Sequence, residues 1–259
     1  MWYDVIMNDN LNKNIRNNFA KLVDSYAKYR RDYPEKSYKL IYNFCPSVEA
    51  IVLDIGCGTG IVTKHLSSYY KNITGTDREI AMTDFAKDDN KNLKFISAKA
   101  EELPFENESF DLVTVATAYH WFDFDLAGKE IFRVLKPSGK MCVFWRMDIS
   151  KSRNYLPQFA YDNLIKLISI IPKASREPIT EEIFTRVGFS NVKKEEFAFE
   201  DTYTKEEILG YVQSHSTFNL LDDKQKEEYI RLNEEAVDQY LVDGIFTFEQ
   251  LVRMFFIEK

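Results

Sequence analysis

Three of the nine glycines in this 259-residue chain fall within five consecutive positions, in the segment Asp54-Ile55-Gly56-Cys57-Gly58-Thr59-Gly60. An apolar run at 50–55 leads into this segment, and an amphipathic stretch at 61–70 follows it. A glycine turn between a strand and a helix lets a ligand touch backbone N–H groups; its plainer use is a tight turn. A dinucleotide loop would place its third glycine at position 61, where Ile61 stands, and no Gly-Lys-Ser/Thr follows to make a phosphate loop of the Walker type. Asp54 precedes the first glycine by two positions. An acid there repels a pyrophosphate but suits a cation, or else holds the loop through its backbone N–H groups.

Asp77 ends the next apolar run, 77 − 56 = 21 residues after the first glycine. A carboxylate at that point can accept both hydroxyls of a ribose; the alternative is a helix N-cap. The two acids together imply a ligand with a ribose and a positive charge but no phosphate, a description that S-adenosylmethionine fits. Further along, Ala118-Tyr119-His120-Trp121-Phe122-Asp123 sets a histidine among aromatic rings. His120 is a candidate base or acceptor contact, and the alternative is packing with Trp121. Tyr119, Trp121 and Phe122 suit a core or a ligand-facing wall equally. Tyr26, Tyr29 and Tyr33, with Arg30 and Arg31, suit a lid over a ligand carboxylate or an ordinary solvated helix. His65 and Cys57 carry no sign of reactivity: the first sits inside a helical stretch, and nothing beside the second activates a thiolate.

Composition narrows the classes. The net charge of −7 argues against nucleic acid as main partner, since phosphate contacts need clustered Lys and Arg. The three cysteines form no CxxC pair, which excludes a disulfide scaffold and a zinc ribbon, and no metal site is expected. No eighteen-residue apolar run exists, and residues 1–16 lack the basic and apolar regions of a signal peptide, so a cytoplasmic protein without a membrane span is expected.

The elements that must position these residues alternate. Short apolar runs at 50–55, 72–76, 93–96, 111–116 and 140–145 are separated by helical stretches at 61–70, 79–87 and 124–135, with Pro137-Ser138-Gly139 turning into the last run. Strands alternating with helices imply βαβ units and a parallel sheet, an α/β fold. Helices at 19–33 and 37–44 precede this core. After it come a helical stretch at 151–187, a strand at 189–200, helices at 203–214 and 222–241, and a closing strand at 251–257.

The segment from Asp54 to Gly60 resembles the first motif of class I S-adenosylmethionine-dependent methyltransferases of the type 11 group, and Asp77 matches their second-strand acid. The segments 98–105, 109–113 and 133–139 resemble their later motifs, so the likeness covers residues 50–145. It implies a three-layer sandwich with a Rossmann-like, seven-stranded, mostly parallel sheet of order 3-2-1-4-5-7-6, its last strand antiparallel. It also implies the cofactor set Asp54, Gly56, Cys57, Gly58, Gly60, Asp77, Arg78, Met82, Ala100, Glu101 and Thr117, with Met82 against the adenine, Ala100 and Glu101 at its edge, and S-adenosyl-L-homocysteine as product. Tyr26-Ala27-Lys28-Tyr29-Arg30-Arg31-Asp32-Tyr33-Pro34 and the stretch around His120 resemble segments of trans-aconitate-methyltransferase-like relatives, as does Ser214-His215-Ser216. That narrower likeness implies a small-molecule acceptor methylated at oxygen and acceptor or lid roles for Tyr26, Tyr29, Arg30, Tyr33, Tyr119, Trp121 and His215. No proline lies between Asp111 and Lys136, so the Asn-Pro-Pro-aromatic tetrad of amino-nucleobase methyltransferases is absent. A single domain is expected, as monomer or homodimer: lid helices at 1–46, a cofactor core at 47–146, a helical cap at 151–187 and completing elements at 188–259. A binding module without catalysis and a nicotinamide oxidoreductase are the other classes considered.

Overall fold

The computed structural model describes residues 23–148, 158–168 and 178–259. In chain order the elements are α1 (Val23–Tyr29), α2 (Glu35–Phe44), β1 (Ile51–Ile55), α3 (Ile61–Leu66), β2 (Asn72–Asp77), α4 (Ile80–Asp89), β3 (Lys94–Ser97), β4 (Phe110–Ala116), α5 (Phe124–Val134), β5 (Leu135–Asp148), α6 (Gln158–Leu167), α7 (Glu181–Thr185), β6 (Ser190–Thr204), α8 (Lys205–Gln213), α9 (Asp223–Tyr240) and β7 (Ile245–Glu258). Short 3₁₀ turns cover Tyr119–Trp121 and Ser216–Leu220. The seven strands form one sheet of order β3-β2-β1-β4-β5-β7-β6.

Strands β1 to β5 pair in parallel. Ile55 stands beside Thr76, Asp77 beside Ser97, Asp54 beside Thr114 and Ala116 beside Phe144. The carboxyl ends of β1, β2 and β4 therefore lie side by side, the edge at which open α/β sheets take ligands. Val52 to Ile55, Leu112 to Val115 and Met141 to Trp145 are buried without interruption, as strands covered on both faces require. The backbone of Lys259 donates to Gly139 O at 3.0 Å, and Ser190 Oγ donates to Glu258 O at 3.3 Å. The end of β7 thus meets the starts of β5 and β6, so β7 runs antiparallel to both.

The chain divides into two compact units. One comprises Asp32–Arg146, Ile179–Phe197 and Val252–Lys259. The other comprises Met1–Arg31, Met147–Pro178 and Ala198–Leu251, and its core gathers Ala160, Leu164, Tyr203, Ile208, Val212, Tyr229 and Phe246. Within it, two capping boxes fix helix starts: Thr204 with Glu207 on α8, and Asp222 with Gln225 on α9.

Element types agree with the sequence pattern, while several boundaries move for visible reasons. The helix after the glycine loop stops at Leu66, because Ser67 and Ser68 hydroxyls donate to Lys64 O and His65 O. Pro137-Ser138-Gly139 lies inside β5, as a bulge: Phe110 already pairs with Leu135 before the register shifts to Leu112 with Lys140. β7 begins six residues earlier than its apolar run, since its first half alternates exposed and buried positions. Of the expected cap at 151–187, residues 151–157 and 169–177 lie outside the described residues; α6 and α7 are its described helices.

Candidate active site

The glycine loop is held to the end of β2 by its own backbone. Gly56 N–H and Cys57 N–H both donate to Thr76 O, at 2.7 and 2.9 Å. Gly58 N–H donates to Asp77 Oδ2 at 3.0 Å, and Glu79 N–H to Asp77 Oδ1 at 2.9 Å. Gly56, Gly58 and Gly60 have φ of 72°, 54° and 85°, the left-handed region that only glycine enters without strain. Gly56 is required twice over: a Cβ there would lie 2.4 Å from the Cβ of Ala118. Gly60 starts α3 against the ring of Phe95.

Asp54 does not hold the loop N–H groups. It is 1% exposed, and its two oxygens accept from Thr63 Oγ1 on α3 at 2.6 Å and Thr114 Oγ1 on β4 at 2.9 Å. It is an internal brace among β1, β4 and α3. Burial pushes its carboxyl up to about 6 against those two hydrogen bonds. Burial also raises Asp77, opposed by the N–H bonds of Glu79 and Gly58, and raises the Cys57 thiol well above its ordinary range. Cys57 therefore stays a protonated, unreactive loop residue.

The chain beyond β4 supplies the second wall. Thr117 has φ of 50°, a strained conformation for a β-branched residue, costing on the order of 1–3 kcal/mol. Its N–H donates to Phe144 O at 2.8 Å, and its hydroxyl lies 2.5 Å from Tyr33 Oη. The 3₁₀ turn then divides the aromatic stretch. Tyr119, expected on the substrate side, is fully buried among Phe122, Phe124 and Phe184 and belongs to the core. His120 and Trp121 are half-buried, with ring centroids 4.9 Å apart. His120 Nδ1 receives the indole N–H of Trp145 at 3.3 Å.

The other expected residues separate by unit. Met82 and Ala100 are buried in the same unit as the loop, whereas Arg78 is exposed and paired with Glu79. The Glu101 carboxylate accepts from Asp123 N–H at 2.9 Å, so its side chain serves the start of α5. His65 lies between Asp32 Oδ2 at 2.7 Å and Glu35 Oε2 at 2.9 Å, stacked on Tyr38, a tie between α2 and α3. Tyr26, Tyr29, Arg30 and His215 fall in the other unit and gather around α8. There Tyr29 packs on Gly210, Arg30 lies over the rings of Tyr26 and Tyr211, and His215 Nδ1 donates to Tyr211 O at 2.9 Å. Sequence reasoning missed Thr63, Thr114 and Trp145. Their only signal was position: a hydroxyl facing a lone buried acid, and an indole closing an apolar run.

A family model described as a methyltransferase domain matches residues 53–143, the span from β1 through most of β5. An uncharacterized methyltransferase of Schizosaccharomyces pombe is 29% identical over 217 residues, covering 81% of this chain and 83% of that protein. The chain is a class I S-adenosylmethionine-dependent methyltransferase. The malonyl-[acyl-carrier protein] O-methyltransferase of Acetivibrio thermocellus is 28% identical to this methyltransferase over 255 residues, 90% of this chain and 86% of the relative. The YcgJ protein of Bacillus subtilis shares the methyltransferase's fold, with a TM-score of 0.57 at 21% identity over 87% of this chain and 99% of the other.

Two outcomes follow for the methyltransferase. Gly56→Ala should weaken S-adenosylmethionine binding at least about tenfold, or roughly 1.4 kcal/mol, and Gly56→Ala with Ala118→Gly should recover part of that loss by removing the steric partner. Calorimetric titration of both variants decides it; equal affinity in Gly56→Ala and wild type contradicts the packing. The second concerns pH. Asp54 rises from 3.8 in the unfolded chain to about 6 when folded, so its protonated form favours folding. That contribution is complete below about pH 4 and is lost as pH rises through 6. The stability of wild type relative to Asp54→Asn should therefore fall between pH 4 and pH 7, by an amount on the order of 3 kcal/mol for about two pKa units. Urea midpoints at several pH values measure it, and a wild type that gains stability relative to Asp54→Asn as pH rises contradicts the assignment.

Proposed function

We propose that this methyltransferase seats its cofactor on the glycine loop and Asp77 and methylates an oxygen atom, carboxylate or hydroxyl, of a small organic molecule. One observation carries the seat: each Asp77 oxygen accepts a single backbone N–H, from Gly58 or Glu79. A carboxylate has about four acceptor sites, so each oxygen keeps one for a ribose hydroxyl. The bound cofactor supplies an electrophilic methyl group on a sulfonium. Gly56, Gly58 and Gly60 leave the loop backbone without side chains on the approach of the methionine part. Met82 and Ala100 offer apolar contact to the adenine. Thr117, pinned by Tyr33 and Phe144, gives a fixed wall beside Gly56, next to Ala118. Tyr26, Tyr29, Arg30 and His215 are not needed for this seat.

Three features support an oxygen of a small molecule. One relative over most of both chains carries the name O-methyltransferase. The net charge of −7 disfavours a polyanionic acceptor. The prolines of a nucleobase tetrad are missing after β4. Alignment of the acceptor and exclusion of water are the protein's main tasks in such a displacement, and His120, Trp121 and Tyr33 are the groups assigned to them.

Asp77→Ala should weaken S-adenosylmethionine binding by about 2 kcal/mol, the range for removing a carboxylate from charge-assisted hydrogen bonds, or roughly 30-fold. Isothermal titration reads the change. Unchanged affinity takes Asp77 out of the seat, and tight binding of NADH with none of S-adenosylmethionine discards the reading altogether.

A further inference from the structure

We propose that Trp145 is a positioning residue that fixes the ring tautomer of His120, so that His120 acts toward the methyl acceptor as a hydrogen-bond donor and not as a base. The indole nitrogen of Trp145 carries a hydrogen and no accessible lone pair; it can only donate. It meets His120 Nδ1 at 3.3 Å, so Nδ1 presents its lone pair in that contact. A neutral imidazole has one proton, which then sits on Nε2. A second proton on Nδ1 would set N–H against N–H.

The geometry is held from both sides. Trp145 is 1% exposed, near the carboxyl end of β5, with Phe255 edge-on to its ring at 6.1 Å and 87°. β5 pairs in parallel with β4 through Ala116 and Phe144, which brings the residues after β4 alongside Trp145. His120 sits in the 3₁₀ turn that follows β4, its ring 4.9 Å from that of Trp121. Whatever His120 Nε2 meets, it meets as N–H.

The consequence rests on the proposed methyl transfer. A hydroxyl acceptor must lose its proton, and His120 cannot take it through Nε2 in this tautomer. A carboxylate has no proton to lose and accepts a hydrogen bond from Nε2–H, which orients one oxygen for attack on the methyl carbon. In that step the oxygen lone pair forms the new O–CH₃ bond, the S–CH₃ bond electrons stay on sulfur, and no proton moves. His120 in this tautomer therefore serves an already anionic oxygen, not a hydroxyl that must lose its proton to it.

The tautomer is measurable without cofactor or acceptor. Long-range ¹H–¹⁵N spectra of protein labelled at histidine nitrogens distinguish the two neutral tautomers and the imidazolium, and His120→Gln assigns the His120 signals among the three histidines. The expected wild-type pattern at neutral pH is a protonated Nε2 and an unprotonated Nδ1, with the Trp145 indole resonance shifted in His120→Gln. In Trp145→Phe the two nitrogen shifts should move toward each other as the tautomers mix. Should Trp145→Phe fail to fold, the wild-type pattern decides alone. A proton on Nδ1 in wild type, or an unaltered pattern in a folded Trp145→Phe, overturns the proposal. If the tautomer is as stated but S-adenosylmethionine does not bind, the role of Trp145 stands and the methyl-transfer reading falls.

Discussion

Two backbone N–H groups, those of Gly58 and Glu79, converge on the single carboxylate of Asp77, and the order of the site depends on that convergence. A loop with three positive-φ glycines gives up much conformational freedom on folding, and those glycines have no side chains to hold it. Its anchors must come from the neighbouring strand. Thr76 O takes the first two loop N–H groups, and Asp77 takes the third. The parallel register of β1 with β2 makes this possible, because Ile55 and Thr76 end side by side.

A second layer sits beneath the loop. Asp54 has no exposed surface to speak of, yet it connects three elements through Thr63 and Thr114. A buried acid raised toward neutrality is less costly to bury when two hydroxyls face it, and it places negative charge close to a loop suited to a cation. Thr117, just past the end of β4, stores strain, held by Phe144 O and Tyr33. Both observations fit a site built for fixed geometry, which a displacement reaction without obligatory proton transfer demands.

Much of this was legible in the residues. The glycine spacing, the two acids at 54 and 77, and the alternation of strand and helix suffice to place the loop at a strand end. The strand order came only with the family likeness, since periodicity says which residues are buried but not which strands are neighbours. Tyr119 was hidden among Trp121 and Phe122, because a run of aromatics through a 3₁₀ turn carries no phase that separates core from surface. Thr114 lies 60 residues from Asp54 in the chain, and only pairing of β1 with β4 brings it into reach. Trp145 ends the apolar run at 140–145. It is core, and its one polar atom still reaches His120.

The most direct test of the central claim, that the Asp77 clamp is the cofactor's seat, is amide hydrogen exchange of the whole protein with and without S-adenosylmethionine. Slower exchange confined chiefly to residues 56–60 and 77–79 is the predicted result. Binding that leaves those amides unchanged while protecting another segment would contradict it.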